Sequence, residues 1–183
     1  MIGKIMLEDI ERVLISEEEL KSIVDNIGKQ ISEDYKDKNL LMVSVLKGSV
    51  MIMADLMRAV TIPARIDFMS VSSYGNGTVH TTLKILKDLD IPLEGYDLLI
   101  VEDILDSGRT LYALREMLKQ RHPKSIRIAT LLDKPERRVE DIQPDYYCFN
   151  VPDEFVVGYG LDYAEKYRNL PYIGILKPEV YSK

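Results

Sequence analysis

Apolar residues along this chain follow two spacings, and each predicts a different element. After Ser16 they stand at Leu20, Ile23, Val24, Ile27 and Ile31, three or four positions apart, as on one face of an α-helix. Ser16 and Glu19 form a capping box at its start, satisfying backbone N–H groups that the first turn leaves free. Leu40 to Leu46 is a nearly unbroken apolar run, the pattern of a strand buried on both faces of a parallel sheet. It ends at Lys47-Gly48-Ser49, after which Val50, Met53, Ala54 and Met57 resume helical spacing. Arg65 to Val71, introduced by Pro63, reads as the next strand, and Ser72 to Thr78 (SSYGNGT) as a loop of small residues. Val79 to Leu86 mixes threonine with apolar residues, as strands near a sheet edge do. Pro92 and Gly95 punctuate the approach to Leu98 to Val101, a second fully buried strand, and Leu111, Leu114 and Leu118 predict the helix that follows. Ser125 to Leu132 is a further strand and Pro135 to Pro144 a polar connection. Tyr146 to Val151, Phe155 to Tyr159 and Tyr172 to Leu176 read as short strands. Strands alternating with helices predict an α/β fold, a central, mostly parallel sheet flanked by helices on both faces.

The 183 residues, 46% of them hydrophobic, suffice for a single domain spanning 1–183 with a substantial core. No repeat, low-complexity tract or linker divides them. A net charge of −6 argues against general nucleic-acid binding, although an acidic protein still holds an anionic ligand in a locally cationic pocket. Cys148 is the single cysteine, which excludes an internal disulfide and a cysteine-based metal site. His80 and His122 lie too far apart in sequence for metal-ligand spacing. Charges run through the opening MIGKIMLEDI, and no stretch approaches the roughly 20 apolar residues of a membrane span. A cytoplasmic protein is expected.

The candidate chemistry concentrates in LLIVEDILDSGRT, Leu98 to Thr110. A buried strand runs directly into the carboxylates Glu102 and Asp103, then Asp106, then the turn Ser107-Gly108-Arg109-Thr110 at a helix start. Ligands of open α/β sheets bind beyond the carboxyl ends of the strands. Small residues at a helix start expose backbone N–H groups that hold a phosphate. An acidic pair able to hold a diol or a metal thus sits beside a phosphate cradle, a combination that suits a phosphorylated sugar. The ordinary alternative is a solvated acidic loop with Ser107 or Thr110 as a plain N-cap. No GxxxxGK[ST] loop or complete GxGxxG occurs anywhere in the chain. At Leu46-Lys47-Gly48-Ser49, glycine lets a phosphate approach the backbone and Lys47 supplies positive charge.

LLIVEDILDSGRT resembles the phosphoribosyl-diphosphate (PRPP) signature of the type I phosphoribosyltransferases, and nearly the whole chain resembles their hypoxanthine-guanine branch. The resemblance implies that family's fold, with a small hood formed by the N- and C-terminal segments. It implies transfer of a phosphoribosyl group from PRPP to a 6-oxopurine, with Mg²⁺ as cofactor, in a homodimer or homotetramer. Glu102 and Asp103 would accept hydrogen bonds from the ribose hydroxyls, which requires a bend after Glu102 because successive strand side chains point oppositely. Asp106 would be the general base on the purine, and shielding from water would strengthen it. Ser107, Gly108, Arg109 and Thr110 would hold the 5′-phosphate.

The resemblance also makes Lys47, Gly48 and Arg168 pyrophosphate-binding, with a cis or switchable Leu46–Lys47 peptide. Ser73 and Tyr74 would belong to a lid that excludes water. Lys134 would donate to the purine's exocyclic oxygen, Phe155 would stack on the base, and the Val156 backbone would read its edge. Asp162, with Glu102 and Asp103, would serve the Mg²⁺. A related enzyme for xanthine or another base is one alternative. A second is an RNA-binding regulator on the same fold, which the acidic balance weakens, and a purely structural protein leaves the clustered motifs without purpose.

Overall fold

The computed structural model describes residues 8–74 and 82–182. Its larger sheet has six strands: β2 (Leu40–Val45), β3 (Ala64–Tyr74), β4 (Thr82–Lys87), β5 (Asp97–Leu105), β6 (Ser125–Asp133) and β7 (Tyr146–Asn150). Their spatial order is β4-β3-β2-β5-β6-β7. All neighbouring pairs are parallel except β3 and β4. The helices α1 (Glu17–Asp34), α2 (Val50–Ala59) and α3 (Arg109–Lys119) cover it, and a four-residue α4 (Pro178–Tyr181) lies near the C-terminus.

Alternation along the central strands explains why both faces need helices. Leu40 and Met42 of β2 and Leu99 and Val101 of β5 pack with Leu20, Val24, Ile27 and Ile31 of α1 and Ile52, Met53 and Leu56 of α2. Leu41, Val43, Leu98 and Ile100, one position along, pack instead with Leu111, Leu114 and Leu118 of α3. The capping box is present, with the Glu19 N–H donating to Ser16 Oγ at 3.2 Å and the Ser16 N–H to Glu19 Oε2 at 2.8 Å.

The expected hood is a second sheet of order β1-β9-β8, antiparallel, from β1 (Ile10–Ile15), β8 (Val156–Val157) and β9 (Ile173–Leu176). Its own apolar cluster holds Val157, Tyr167, Leu170 and Leu176. β1 is absent from the periodicity reading. Its Val13 is half exposed, so no buried alternation marks it. Phe155 to Tyr159 shortens to the two residues of β8 because the chain turns back at Gly158, which bridges to Leu161.

Two expectations fail at strand ends. Ser72, Ser73 and Tyr74 are not loop but the last residues of β3, paired with Lys84, Leu83 and Thr82. The partner strand's backbone, not side-chain type, decides their conformation. Residues 75–81, which hold the rest of the expected loop and the start of the strand expected from Val79, lie outside the described residues. There is also no bend after Glu102, because β5 continues in register with β6 from Glu102↔Thr130 to Leu105↔Asp133.

Candidate active site

In the order β3-β2-β5-β6 the chain leaves β2 for a strand on one side and β5 for a strand on the other. The connections after β2 and β5 therefore diverge and leave a crevice at their carboxyl ends. Lys47 and Gly48 follow β2, and Asp106 to Thr110 follow β5.

The turn after β5 is built for an anion. Gly108 has φ 82, which favours glycine, and a Cβ there would run into Ile142. It is the N-cap of α3, and no side chain caps it, so neither Ser107 nor Thr110 plays the ordinary capping role. The first N–H groups of α3 are left for a ligand. A cavity of about 90 Å³ is lined by Glu102, Ile104, Asp106, Ser107, Gly108 and Thr110. Arg109 is exposed and is not among the cavity's lining residues.

With β5 unbent, the two adjacent carboxylates part. Glu102 opens to the phosphate-sized cavity, whereas Asp103 stands against Gly48. A Cβ on Gly48 would collide with the Asp103 carboxyl, and one on Gly160 would collide with the Gly48 carbonyl. The loop after β2 is thus sandwiched between β5 and the hood. Burial, and then the neighbouring Asp103 charge, hold Glu102 well above the usual carboxylate range. Burial pushes Asp103 up to about 6, against the opposing pull of the Ile104 N–H, which donates to Oδ1 at 2.7 Å.

The Leu46–Lys47 peptide is cis, as expected. Lys47 Nζ pairs with Glu165 at 3.0 Å. Arg168 donates to the Gly160 carbonyl at 2.7 Å and pairs with Asp162 at 2.7 Å. The hood segment 160–168 thereby brings Lys47, Gly48, Asp162 and Arg168 together.

A second cavity, of about 350 Å³, gathers Asp106, Lys134, Phe155, Val156 and Asp162. Lys134 is buried and donates to the Glu154 carbonyl at 2.7 Å, and burial lowers the proton affinity of its amine. Asp106 Oδ1 is buried with no hydrogen-bond partner, and Oδ2 lies 3.4 Å from Arg137. Phe155 stacks on Tyr181 at 4.9 Å between centroids and meets the edge of Tyr163 at 5.4 Å. Sequence reasoning missed Arg137, Asp153 and Tyr181 in this lining. Only the Pro178 that opens the helical turn before Tyr181 gave any local signal. A larger cavity of about 580 Å³ lies between α1, α2 and residues 168–171, and of the expected site residues it contains only Arg168. Among the described residues no three metal-ligating side chains cluster.

A sequence model of the phosphoribosyl transferase domain matches residues 14–164. The chain belongs to the phosphoribosyltransferase family. A hypoxanthine-guanine phosphoribosyltransferase of Streptococcus pyogenes serotype M3 is 56% identical over 180 residues, 97% of this chain and 100% of that protein. The crystal structure of a hypoxanthine phosphoribosyltransferase from Staphylococcus aureus superposes with a TM-score of 0.95 at 51% identity, covering 98% of each chain. A hypoxanthine-guanine phosphoribosyltransferase from Bacillus anthracis, solved with HEPES in its active site, gives 0.89 at 47% identity over 92% of this chain and 99% of that one. These likenesses span the central sheet and the hood alike, so this phosphoribosyltransferase carries its relatives' complete fold.

Proposed function

We propose that this phosphoribosyltransferase joins hypoxanthine or guanine to PRPP, releasing the nucleoside monophosphate and pyrophosphate. Ile104 and Asp106 line both the 350 Å³ cavity and the phosphate-sized one, and this shared wall carries the reading. A ligand spanning the two would have a flat base against Phe155 and Lys134, a sugar at Asp106 and Glu102, and a phosphate at the α3 N-terminus. That is the layout of a purine nucleotide.

The chemistry follows from the chain's own groups. Displacement at the anomeric carbon builds positive charge on the ribose. Asp106 takes the purine's imidazole proton, and its unpartnered buried oxygen is free to do so. Lys134 donates to the exocyclic oxygen of a 6-oxopurine and has no such partner in adenine. Ser107 to Thr110 hold the 5′-phosphate, while Lys47, the Gly48 backbone and Arg168 orient the leaving pyrophosphate. Phe155 and the Val156 backbone position the base. Ser73 and Tyr74, the last residues of β3, would belong to the lid.

Of the carboxylates expected to hold Mg²⁺, Glu102 faces the phosphate-sized cavity while Asp103 stands against Gly48, so Glu102, Asp103 and Asp162 do not form one ligand set. Among the described residues no three carboxylates converge on one point, so the protein would supply one or two of them to the ion. That suits an ion that arrives with substrate oxygens and keeps few protein ligands. When bound, the ion would supply charge neutralisation to the pyrophosphate. We further propose that the chain acts as one domain in the cytoplasm, as a homodimer or homotetramer. No helix among the described residues is long and apolar enough to cross a membrane.

Pyrophosphate release with PRPP and Mg²⁺, run in parallel with hypoxanthine, guanine, xanthine, adenine and uracil, tests the reaction. Release with hypoxanthine or guanine is expected. Release with another base alone would overturn the base-pocket reading and keep the phosphate cradle.

A further inference from the structure

We propose that Arg138 is a positioning residue for the phosphate cradle, acting through the backbone carbonyls of the turn after β5. The proposal rests on the reading of Ser107 to Thr110 as the phosphate site. Arg138 follows the 3₁₀ turn Pro135–Arg137, in the connection between β6 and β7. Its side chain is only 8% exposed. Nε donates to the Asp106 carbonyl at 3.0 Å, and Nη2 to the Leu105 carbonyl at 3.3 Å. Nη1 donates to the Ile142 carbonyl at 2.5 Å, and Nη2 also pairs with the Asp133 carboxylate. The same segment reaches the turn through its backbone. The Lys134 N–H donates to the Leu105 carbonyl at 2.9 Å, and the Val139 N–H to the Ser107 carbonyl at 3.0 Å. Leu105, Asp106 and Ser107, three consecutive carbonyls, are therefore all held from one side.

Peptide planarity turns this clamp into aim. In a trans peptide the N–H points opposite to the C=O it is joined to. Fixing the Asp106 and Ser107 carbonyls toward Arg138 and Val139 directs the Ser107 and Gly108 N–H groups the other way. Among the described residues nothing accepts from either N–H. Ser107 and Gly108 line the phosphate-sized cavity. The clamp thus presets the donors that would otherwise have to be ordered when phosphate binds. A planar guanidinium with five N–H donors spans this acceptor set, and a lysine ammonium does not. Asp133 makes the burial of the cation tolerable. The Arg138 side chain also contacts the place a Gly108 Cβ would take, so clamp and turn are fitted to each other.

The test is titration calorimetry of GMP and of guanosine with wild-type protein, Arg138→Met and Arg138→Lys, with steady-state KM values for PRPP and hypoxanthine. The ratio of GMP to guanosine affinity reads the cradle alone. Arg138→Met should lower that ratio roughly 10- to 100-fold and raise the KM for PRPP, with the KM for hypoxanthine within about twofold. Arg138→Lys keeps the cation beside Asp133 but reaches at most one carbonyl at a time. It should fold even where the methionine variant does not, and should still lose at least about fivefold of the ratio. A folded Arg138→Lys protein with an unchanged ratio would overturn the proposal. A wild-type protein that does not prefer GMP would overturn the cradle reading itself, whatever Arg138 does.

Discussion

Replacing Lys134 by methionine isolates one interaction of the base cavity. The two side chains are similar in length, so the change removes the ammonium and little else. In the structure Lys134 is 6% exposed and its Nζ donates to the Glu154 carbonyl at 2.7 Å. A 6-oxopurine in the cavity would offer its exocyclic oxygen to the remaining N–H groups. A hydrogen bond from a charged donor contributes about 1.5–3 kcal/mol, which corresponds to roughly a 10- to 150-fold fall in kcat/KM for hypoxanthine and guanine. Adenine gains nothing from the ammonium, so its turnover should be unchanged. Stability responds in two opposing ways. Removing an ammonium whose charge burial disfavours relieves the fold, while the Glu154 carbonyl loses its donor at a cost of about 1–3 kcal/mol. The two largely offset, and the melting temperature should shift by only a few degrees, roughly. Pyrophosphate release at saturating PRPP, with a thermal scan of the same sample, measures both. A folded Lys134→Met protein whose kcat/KM for hypoxanthine stays within about threefold of wild type would refute the donor role.

Further outcomes follow from other contacts. Asp106→Asn should keep the melting temperature and cut kcat by roughly 10²- to 10⁴-fold, and near-normal turnover would remove Asp106 as the base. Gly28→Ala places a Cβ onto the backbone of Ala59 at the α1–α2 contact. Overpacking of about 1–3 kcal/mol should outweigh the helix gain of about 1 kcal/mol, so a higher melting temperature would contradict the contact. The Tyr146 hydroxyl, helped by Arg127, holds the Asp34 carboxylate below its ordinary range. That stabilisation is present above the unfolded value of about 3.9 and is lost as pH falls through the lower folded value. Asp34→Asn should therefore flatten the denaturant midpoint against pH below about 4, and an unchanged acid limb would argue against the pair.

The fold was legible wherever burial imposes a period. Leu40 to Leu46, Leu98 to Val101 and the α1 face each advertise their neighbours through apolar spacing. The misreadings fall where backbone pairing outranks side-chain type. Ser72 to Tyr74 look like loop and are strand because β4 supplies their partners. Glu102 and Asp103 look like the loop after β5, yet pairing with β6 carries the strand to Leu105. β1 carries Glu11, Arg12 and an exposed Val13, and owes its existence to pairing with β9 near the other end of the chain. For the site, residues in one contiguous motif could be read together, as with Asp106 to Thr110. Contacts such as Lys47 with Glu165 join distant segments, and no local spacing encodes them.

The pairing of charges explains how a chain with a net charge of −6 can serve a highly anionic substrate. The cations of the site are not idle. Lys47 is held by Glu165, Arg168 by Asp162 and Glu165, and Arg137 by Asp106 and Asp153. Phosphate oxygens therefore exchange existing ion pairs for new ones instead of meeting bare positive charge. Exposed pairs such as Lys47 with Glu165 contribute about 0–1 kcal/mol each, so exchanging them costs little. The released carboxylates then need partners, and the substrate brings them. On the proposed reading, Asp106 would meet the purine N–H and Asp162 a divalent ion that accompanies the diphosphate. Affinity then depends less on salt than the number of nearby cations implies, because few mobile counterions are displaced.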